Sequence, residues 1–199
     1  LSTPVAVENR RQGEVITAID NTVSHFMGAA GLRSLAVSET HKFGHVTYFF
    51  NGNRSEKPPG EEWVEVPSLS TPLERAPQMK AVEITDAAVR GITSGDYDHV
   101  RLNLANGDMV GHTGDMAATI EGIEVMDRCL ARLAEATSQA GGILIVTADH
   151  GENTYESDLG VGHGDHLYGR NGHHVPLLIH QPGGRDGGNR SDRQVRTVD

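Results

Sequence analysis

The chain has 199 residues, of which 37% are hydrophobic and 22% charged, with a net charge of -10 at neutral pH. That length supports one sizeable core, and the acidic balance argues against non-specific nucleic-acid binding, which needs a basic surface to displace counterions. A small anionic substrate stays compatible, because one cationic pocket can sit in an acidic protein.

A single cysteine, Cys129, allows no intrachain disulfide and points to a reducing compartment. No apolar run nears the ~20 residues of a membrane span, and no signal peptide opens the chain. A cytoplasmic protein is expected. The chain opens on Leu1 and stops at "RQVRTVD" as an apolar pattern begins, so it is expected to be a piece of a longer one.

Along the chain, Gly13 to Ala30 reads as a helix, with Val15, Ile19, Val23 and Phe26 recurring at helical spacing. "GLRSLAVSE" reads as a turn and a short buried strand. "HVTYFFNGN" is apolar and aromatic and ends on an Asn-Gly turn signal. "RSEKPPGEE" is a polar loop, and "WVEVPS" alternates as a strand does. "EITDAAVRGITSG" predicts a helix with Gly95 near its end. "DHVRLNLAN" places Val100, Leu102 and Leu104 on one strand face. Met116 to Leu133 predicts a helix, with Met116, Ile120, Ile123, Met126, Leu130 and Leu133 on its apolar stripe and Cys129 close by in the core. "GGILIVTAD" reads as a buried strand, followed by a Gly/His-rich loop and a further strand, "VPLLIH". Strands alternating with helices predict an α/β fold with a largely parallel sheet, whose ligands bind at the carboxyl ends of the strands.

Two motifs fall at such ends. In "LNLANGDMVGHTG", Asp108 and His112 lie four apart, so a helical turn would put both on one face. Carboxylate and imidazole together suit Mn or Zn. The alternative is that Asp108 caps the next helix and His112 is a surface residue, and the spacing leaves both open. In "TADHG", Asp149 and His150 are adjacent, and an irregular turn would let them converge on one ion where a strand would splay them apart. The alternative there is an N-cap with an exposed His. The loop "GVGHGDHLYGRNGHHVPLL" adds His163 and His166 as candidate ligands, ahead of His173 and His174, which stand close to the strand. Its plain reading is a solvated loop. Lys42, in "ETHKFGHVTYFFNG", could hold a phosphate as a point charge, although by composition alone a surface lysine is the commoner case.

These stretches, in this order from about Gly13 to Asn153, resemble the C-terminal half of the cofactor-independent phosphoglycerate mutases of the alkaline phosphatase superfamily. The residues that carry the resemblance are "SETHKFGHVTYFFNG", "EKPPGEEWVEVPS", "PQMKAVEITDAAV", "NLANGDMVGHTG" and "TADHGEN". The resemblance implies an alkaline phosphatase-like α/β fold, with helices on both faces of a largely parallel sheet. It also implies two divalent metal ions, Mn or Zn. Asp108, His112 and one later His (His163 or His166) would bind one ion, and Asp149 and His150 the other. Lys42 matches the family lysine that contacts the transferred phosphate. The implied reaction interconverts 3- and 2-phosphoglycerate in glycolysis through a phosphoserine. The implied partner is this small phosphorylated substrate, met by a monomer, with neither nucleic acid nor membrane.

Three departures bound that implication. The family's nucleophilic serine and a further Asp ligand are not identifiable here, and the inserted domain that grips the glycerate is absent. Residues 1–199 are therefore expected to be one incomplete metal-binding catalytic domain, inactive alone. Arg170 stands where the family has a His, and "GHGDHLYGRNGHHVPLLIHQPG" after "DHGE" is similar to sulfatases and phosphodiesterases of the same superfamily. A metal-dependent phosphate- or sulfate-ester hydrolase is accordingly the alternative function, and a non-catalytic metal-binding relative the third.

Overall fold

The run "SLAVSE" contains only small, aliphatic or hydroxyl side chains until its closing glutamate, and in the computed structural model it forms the fully buried strand β3, Ser34–Glu39. The structure describes residues 6–8, 15–150 and 175–182. They fall into two compact units, one of residues up to 69 together with 82–105, the other of 70–81 together with residues from 106 onward.

In the first unit β3 is flanked by β4, Glu61–Val66, and β5, His99–Leu102, both parallel to it. A central parallel strand must be covered on both sides, and the two sides are covered differently. Leu35 and Val37 turn to one face. There they meet Val64, Val66, Val100, Leu102 and Leu104 and pack on Ile84 and Ala87 of helix α3, Ala81–Ser94. Gly91 lets that helix come close, since a Cβ there would stand 2.4 Å from Leu35 Cδ2. The helix gives way at Gly95, whose φ of +72° is left-handed. The other face carries Ser34, Glu61, Trp63, His99 and Arg101. It lies against the segment after β3: a 3₁₀ turn, Thr40–Lys42, the one-turn helix α2, Phe43–Val46, and a run of turns to Gly52.

The helix expected over Gly13 to Ala30 is not formed. Val15–Thr17 is strand β2, antiparallel to β1, Ala6–Glu8, and only Val23–Ala29 is helical, as α1. The β-branched run Val-Ile-Thr favours the extended chain, and Asn21, at φ 62°, breaks the phase between strand and helix. Ile19, Val23 and Phe26, which suggested the helix, are all exposed.

In the second unit α4, Asn106–Gly111, packs against α5, Met116–Gln139, together with the 3₁₀ turn Leu73–Arg75. Asn106 is fully buried and its Nδ2 donates to the Pro77 carbonyl at 2.7 Å, which anchors the start of α4. Gly122 of α5 makes room for both, because a Cβ there would lie 3.3 Å from Pro77 O and 3.5 Å from Asn106 Cβ. The long helix forms as expected, but its buried stripe is Ala118, Gly122, Val125, Cys129, Leu133 and Ala136. Met116, Ile120 and Ile123 are exposed, so the small residues choose the packing face and only Leu133 and the neighbouring Cys129 of the expected core are deeply buried.

"GGILIVTAD" does supply a strand, β6, Leu144–Thr147, and "VPLLIH" supplies β7, Leu177–His180. They pair antiparallel as a separate two-stranded sheet, and β6 alternates between half-buried and exposed positions, whereas a fully buried strand was expected. The fold class is α/β, with parallel pairing confined to the β3-centred sheet among the described residues.

Candidate metal centre

Asp108 lies in the first turn of α4, inside the helix, and so cannot be its cap. Nor does it cap the next helix. That role belongs to Asp115, whose Oδ1 accepts from the Ala118 backbone N at 3.0 Å. The turn of α4 carries on to His112, whose backbone N donates to the Asp108 carbonyl at 3.1 Å. The i, i+4 relation therefore holds, and His112 Nε2 stands 3.0 Å from Asp108 Oδ1.

After β6 the chain turns through Asp149 and His150. His150 Nε2 lies 3.9 Å from the same Asp108 Oδ1 and 3.7 Å from Asp149 Oδ2. The two Asp/His pairs marked in the sequence therefore lie within one unit, with His112 and His150 both approaching Asp108 Oδ1 and Asp149 reaching His150. Asp108 and His150 are largely covered, at 17% and 22% side-chain exposure, while Asp149 is open at 67%.

The donor chemistry fits a divalent ion of intermediate hardness: carboxylate oxygens and imidazole nitrogens, gathered at partial exposure. Among the described residues no three His, Cys, Asp or Glu side chains are arranged to hold one metal ion. His163 and His166, with His173 and His174, lie outside the described residues. Lys42 closes the 3₁₀ turn at the carboxyl end of β3, half-buried, in the first unit.

Sequence reasoning passed over a second polar cluster, on the face of the β3 sheet opposite α3. Glu61 Oε1 accepts from Arg101 Nη2 at 2.6 Å, from Asn51 Nδ2 at 2.9 Å and from Trp63 Nε1, and Ser34 Oγ donates to Oε2 at 3.3 Å. Burial by itself would raise the Glu61 pKa. The hydrogen bonds from Arg101, Trp63 and Asn51 outweigh it and hold the group below its ordinary 4.5, at about 2. On the same face burial, and then the nearby Arg101 charge, lower the pKa of His99. One signal for this cluster was available: Arg101 holds a polar position of the alternating stretch "DHVRLNL", and in a strand covered on both faces a charge needs a partner. Glu39, at the end of β3, was also missed; it is buried and its Oε2 accepts from Ser68 Oγ at 2.9 Å.

The family profile described as Metalloenzyme superfamily matches residues 16–197. The chain belongs to the Metalloenzyme superfamily. Among the curated relatives of this superfamily member, a 2,3-bisphosphoglycerate-independent phosphoglycerate mutase of Trypanosoma brucei brucei is 49% identical over 137 residues, 68% of the chain and 25% of the relative. A probable mutase of the same kind from Arabidopsis thaliana is 51% identical over 138 residues, 67% of the chain and 24% of the relative. A solved structure of Leishmania mexicana phosphoglycerate mutase at low cobalt concentration is 47% identical, with a TM-score of 0.67 over 68% of the chain and 25% of that protein. The chain thus spans about a quarter of the length of these relatives. The metalloenzyme assignment accords with the Asp/His cluster, and no helix among the described residues is long and apolar enough to cross a membrane.

Proposed function

We propose that the chain is the metal-binding part of a phosphoglycerate mutase, which interconverts 3-phosphoglycerate and 2-phosphoglycerate through a phosphoserine. The observation that carries this reading is the approach of His112 and His150, one from each Asp/His pair, to Asp108 Oδ1. The relatives' names, which call them phosphoglycerate mutases, support the choice of reaction class. Both compact units are assigned to one phosphatase-like catalytic domain, residues 1–199, of a longer cytoplasmic protein acting as a monomer.

In this reading Asp108, His112 and either His163 or His166 hold one divalent ion, and Asp149 and His150 hold a second, as Mn or Zn. The cobalt named for the Leishmania mexicana neighbour supports a divalent ion of this class. Divalent ions held there would supply Lewis acidity, lowering the pKa of a serine nucleophile and offsetting charge on the transferred phosphoryl group. The chain's own residues do the rest. Asp108 contributes anionic oxygen and keeps the His112 and His150 imidazoles turned towards it. Lys42 supplies a compact positive charge for the transferred phosphate. The phosphoryl group leaves one glycerate hydroxyl for the serine and returns to the other, so no phosphate is released.

The test is an assay of the full-length gene product with Mn, following 2-phosphoglycerate formation from 3-phosphoglycerate and free phosphate in parallel. Conversion without release is expected. Release without conversion would replace the mutase by an ester hydrolase, the reading that Arg170 and the sulfatase-like "GHGDHLYGRNGHHVPLLIHQPG" favour. Metal binding with neither reaction would leave a non-catalytic relative.

A further inference from the structure

The three donors that meet at Glu61 Oε1 share a second property: each also touches the segment that begins immediately after Lys42. Arg101 donates through Nε to the Val46 carbonyl at 2.8 Å, and its guanidinium lies 4.3 Å over the Phe50 ring. Trp63 stands edge-on to Phe43, with ring centroids 6.1 Å apart at 88°. Asn51 is itself the end of that segment, fully buried, with its backbone N on the Thr47 carbonyl at 2.9 Å. Thr47 in turn reaches back through Oγ1 to the Phe43 carbonyl at 2.7 Å. Ahead of Lys42, Thr40 Oγ1 donates to Glu65 Oε1 at 2.8 Å and accepts from the Ser68 backbone N at 3.3 Å.

A buried ion pair is a poor way to gain stability, because desolvation consumes most of the attraction and apolar side chains of the same volume do as well. It does fix geometry. A guanidinium can bind a carboxylate through one nitrogen and a carbonyl through another in one rigid plane, which an ammonium cannot do. We propose that Glu61 and Arg101 are positioning residues for Lys42: the pair locks the 43–51 segment against the β3 sheet, and through it the turn that presents Lys42 to the transferred phosphate. This rests on the phosphate role assigned to Lys42 above.

The test is a double-mutant cycle in the metal-loaded full-length gene product, with amide exchange measured alongside. Arg101→Lys keeps the charge but not the two-sided grip, and is expected to lower kcat/KM at least about tenfold in the parent background. In the Lys42→Ala background the same substitution is expected to add no more than about a twofold loss, because the group it positions is gone. Equal losses in both backgrounds would mean a general structural role and overturn the proposal. Exchange should quicken in peptides covering 43–53 and stay unchanged in the α3 helix; no change, or a uniform one, would overturn it as well. If the parent converts no phosphoglycerate, the mutase reading fails, and the exchange pattern alone decides whether the pair locks the segment. Should Arg101→Lys not fold, Glu61→Gln, which keeps the shape and an acceptor oxygen, carries the same cycle with the same expected pattern.

Discussion

Two carboxylates in this chain each gather nitrogen partners around one oxygen, and they do so in opposite ways. Glu61 is 1% exposed at its side chain, and guanidinium, indole and amide donors converge on it. Guanidinium, indole N–H and amide N–H are hydrogen-bond donors and not metal ligands, so Glu61 Oε1 is met by three donors of the protein itself. Asp108 sits at 17% exposure with two imidazoles, His112 at 3.0 Å and His150 at 3.9 Å, and an open carboxylate, Asp149, just beyond His150. Imidazole and carboxylate are metal ligands, and partial exposure lets an ion enter. In the proposed reading, burial with strong donors marks structure at Glu61, and half-open burial with ligating partners marks chemistry at Asp108.

The largest effect that could break this contrast is on folding. Glu61→Ala leaves Arg101 charged, buried and unpaired, and should destabilise the protein by about 3–5 kcal/mol, read as a fall in the urea midpoint. Metal content per folded molecule should not change. A loss of metal equal to that in the Asp108 variant would erase the distinction between the two carboxylates.

Asp108→Ala should do the reverse. It removes the oxygen that both imidazoles approach, so metal affinity should fall about 10- to 100-fold, while the fold loses only about 1 kcal/mol. Asp149→Ala, at a more open residue, should lower affinity less than Asp108→Ala does. Elemental analysis after gel filtration gives the occupancy of each. Parent-like occupancy in both variants would show the metal assignment to be wrong.

Acidity separates the two faces of the β3 sheet in the same spirit. Glu61 and His99 both have pKa values lowered by folding, so the unfolded chain binds more protons than the native one. Stability from either is present above its unfolded pKa and lost as pH falls. His99 should begin to weaken the fold below its ordinary 6.5, and Glu61 below 4.5, with its contribution gone at about 2. Replacing His99 by Gln should abolish the upper window and leave the lower one. The apolar face under α3 has no such dependence. If urea midpoints stayed flat between pH 8 and 5 in the parent, the part given to His99 would be wrong.

Much of this arrangement could be read before the structure, for reasons specific to each element. β3 and α3 are bounded by their own chemistry, and one face of β5 follows from strict alternation at Val100, Leu102 and Leu104. Asp108 and His112 were legible because a single helical turn fixes their relation. Three things were hidden. Ile19, Val23 and Phe26 keep helical spacing without a helix beneath Ile19, since spacing records periodicity and not which face is covered. The α5 stripe was misplaced for a related reason: Gly122 permits the close approach of Pro77 and Asn106, so the helix packs on its small-residue face and leaves Ile120 and Ile123 exposed. The Glu61 cluster joins residues 51, 61, 63 and 101, and only parallel pairing across β4, β3 and β5 brings them together. No local pattern encodes that.

A third carboxylate supplies the smallest and cleanest test of the contrast. Asp115 stands seven residues after Asp108, in the same motif-rich stretch, and its oxygen is occupied by a backbone N–H of α5 at 3.0 Å. It is a cap, the role that Asp108 might have had from sequence alone. Asp115→Ala should therefore cost about 1 kcal/mol, the usual value of an N-cap, and Asp115→Ser should restore most of it, because a hydroxyl can accept the same bond. Neither substitution should alter metal content, although α5 packs on the helix that bears Asp108. If Asp115→Ala released metal as Asp108→Ala is expected to, the acidic stretch would be acting as a diffuse charge, and the assignment of one oxygen at Asp108 would lose its force. If occupancy holds while the midpoint falls and Ser restores it, the ligand role stays with Asp108.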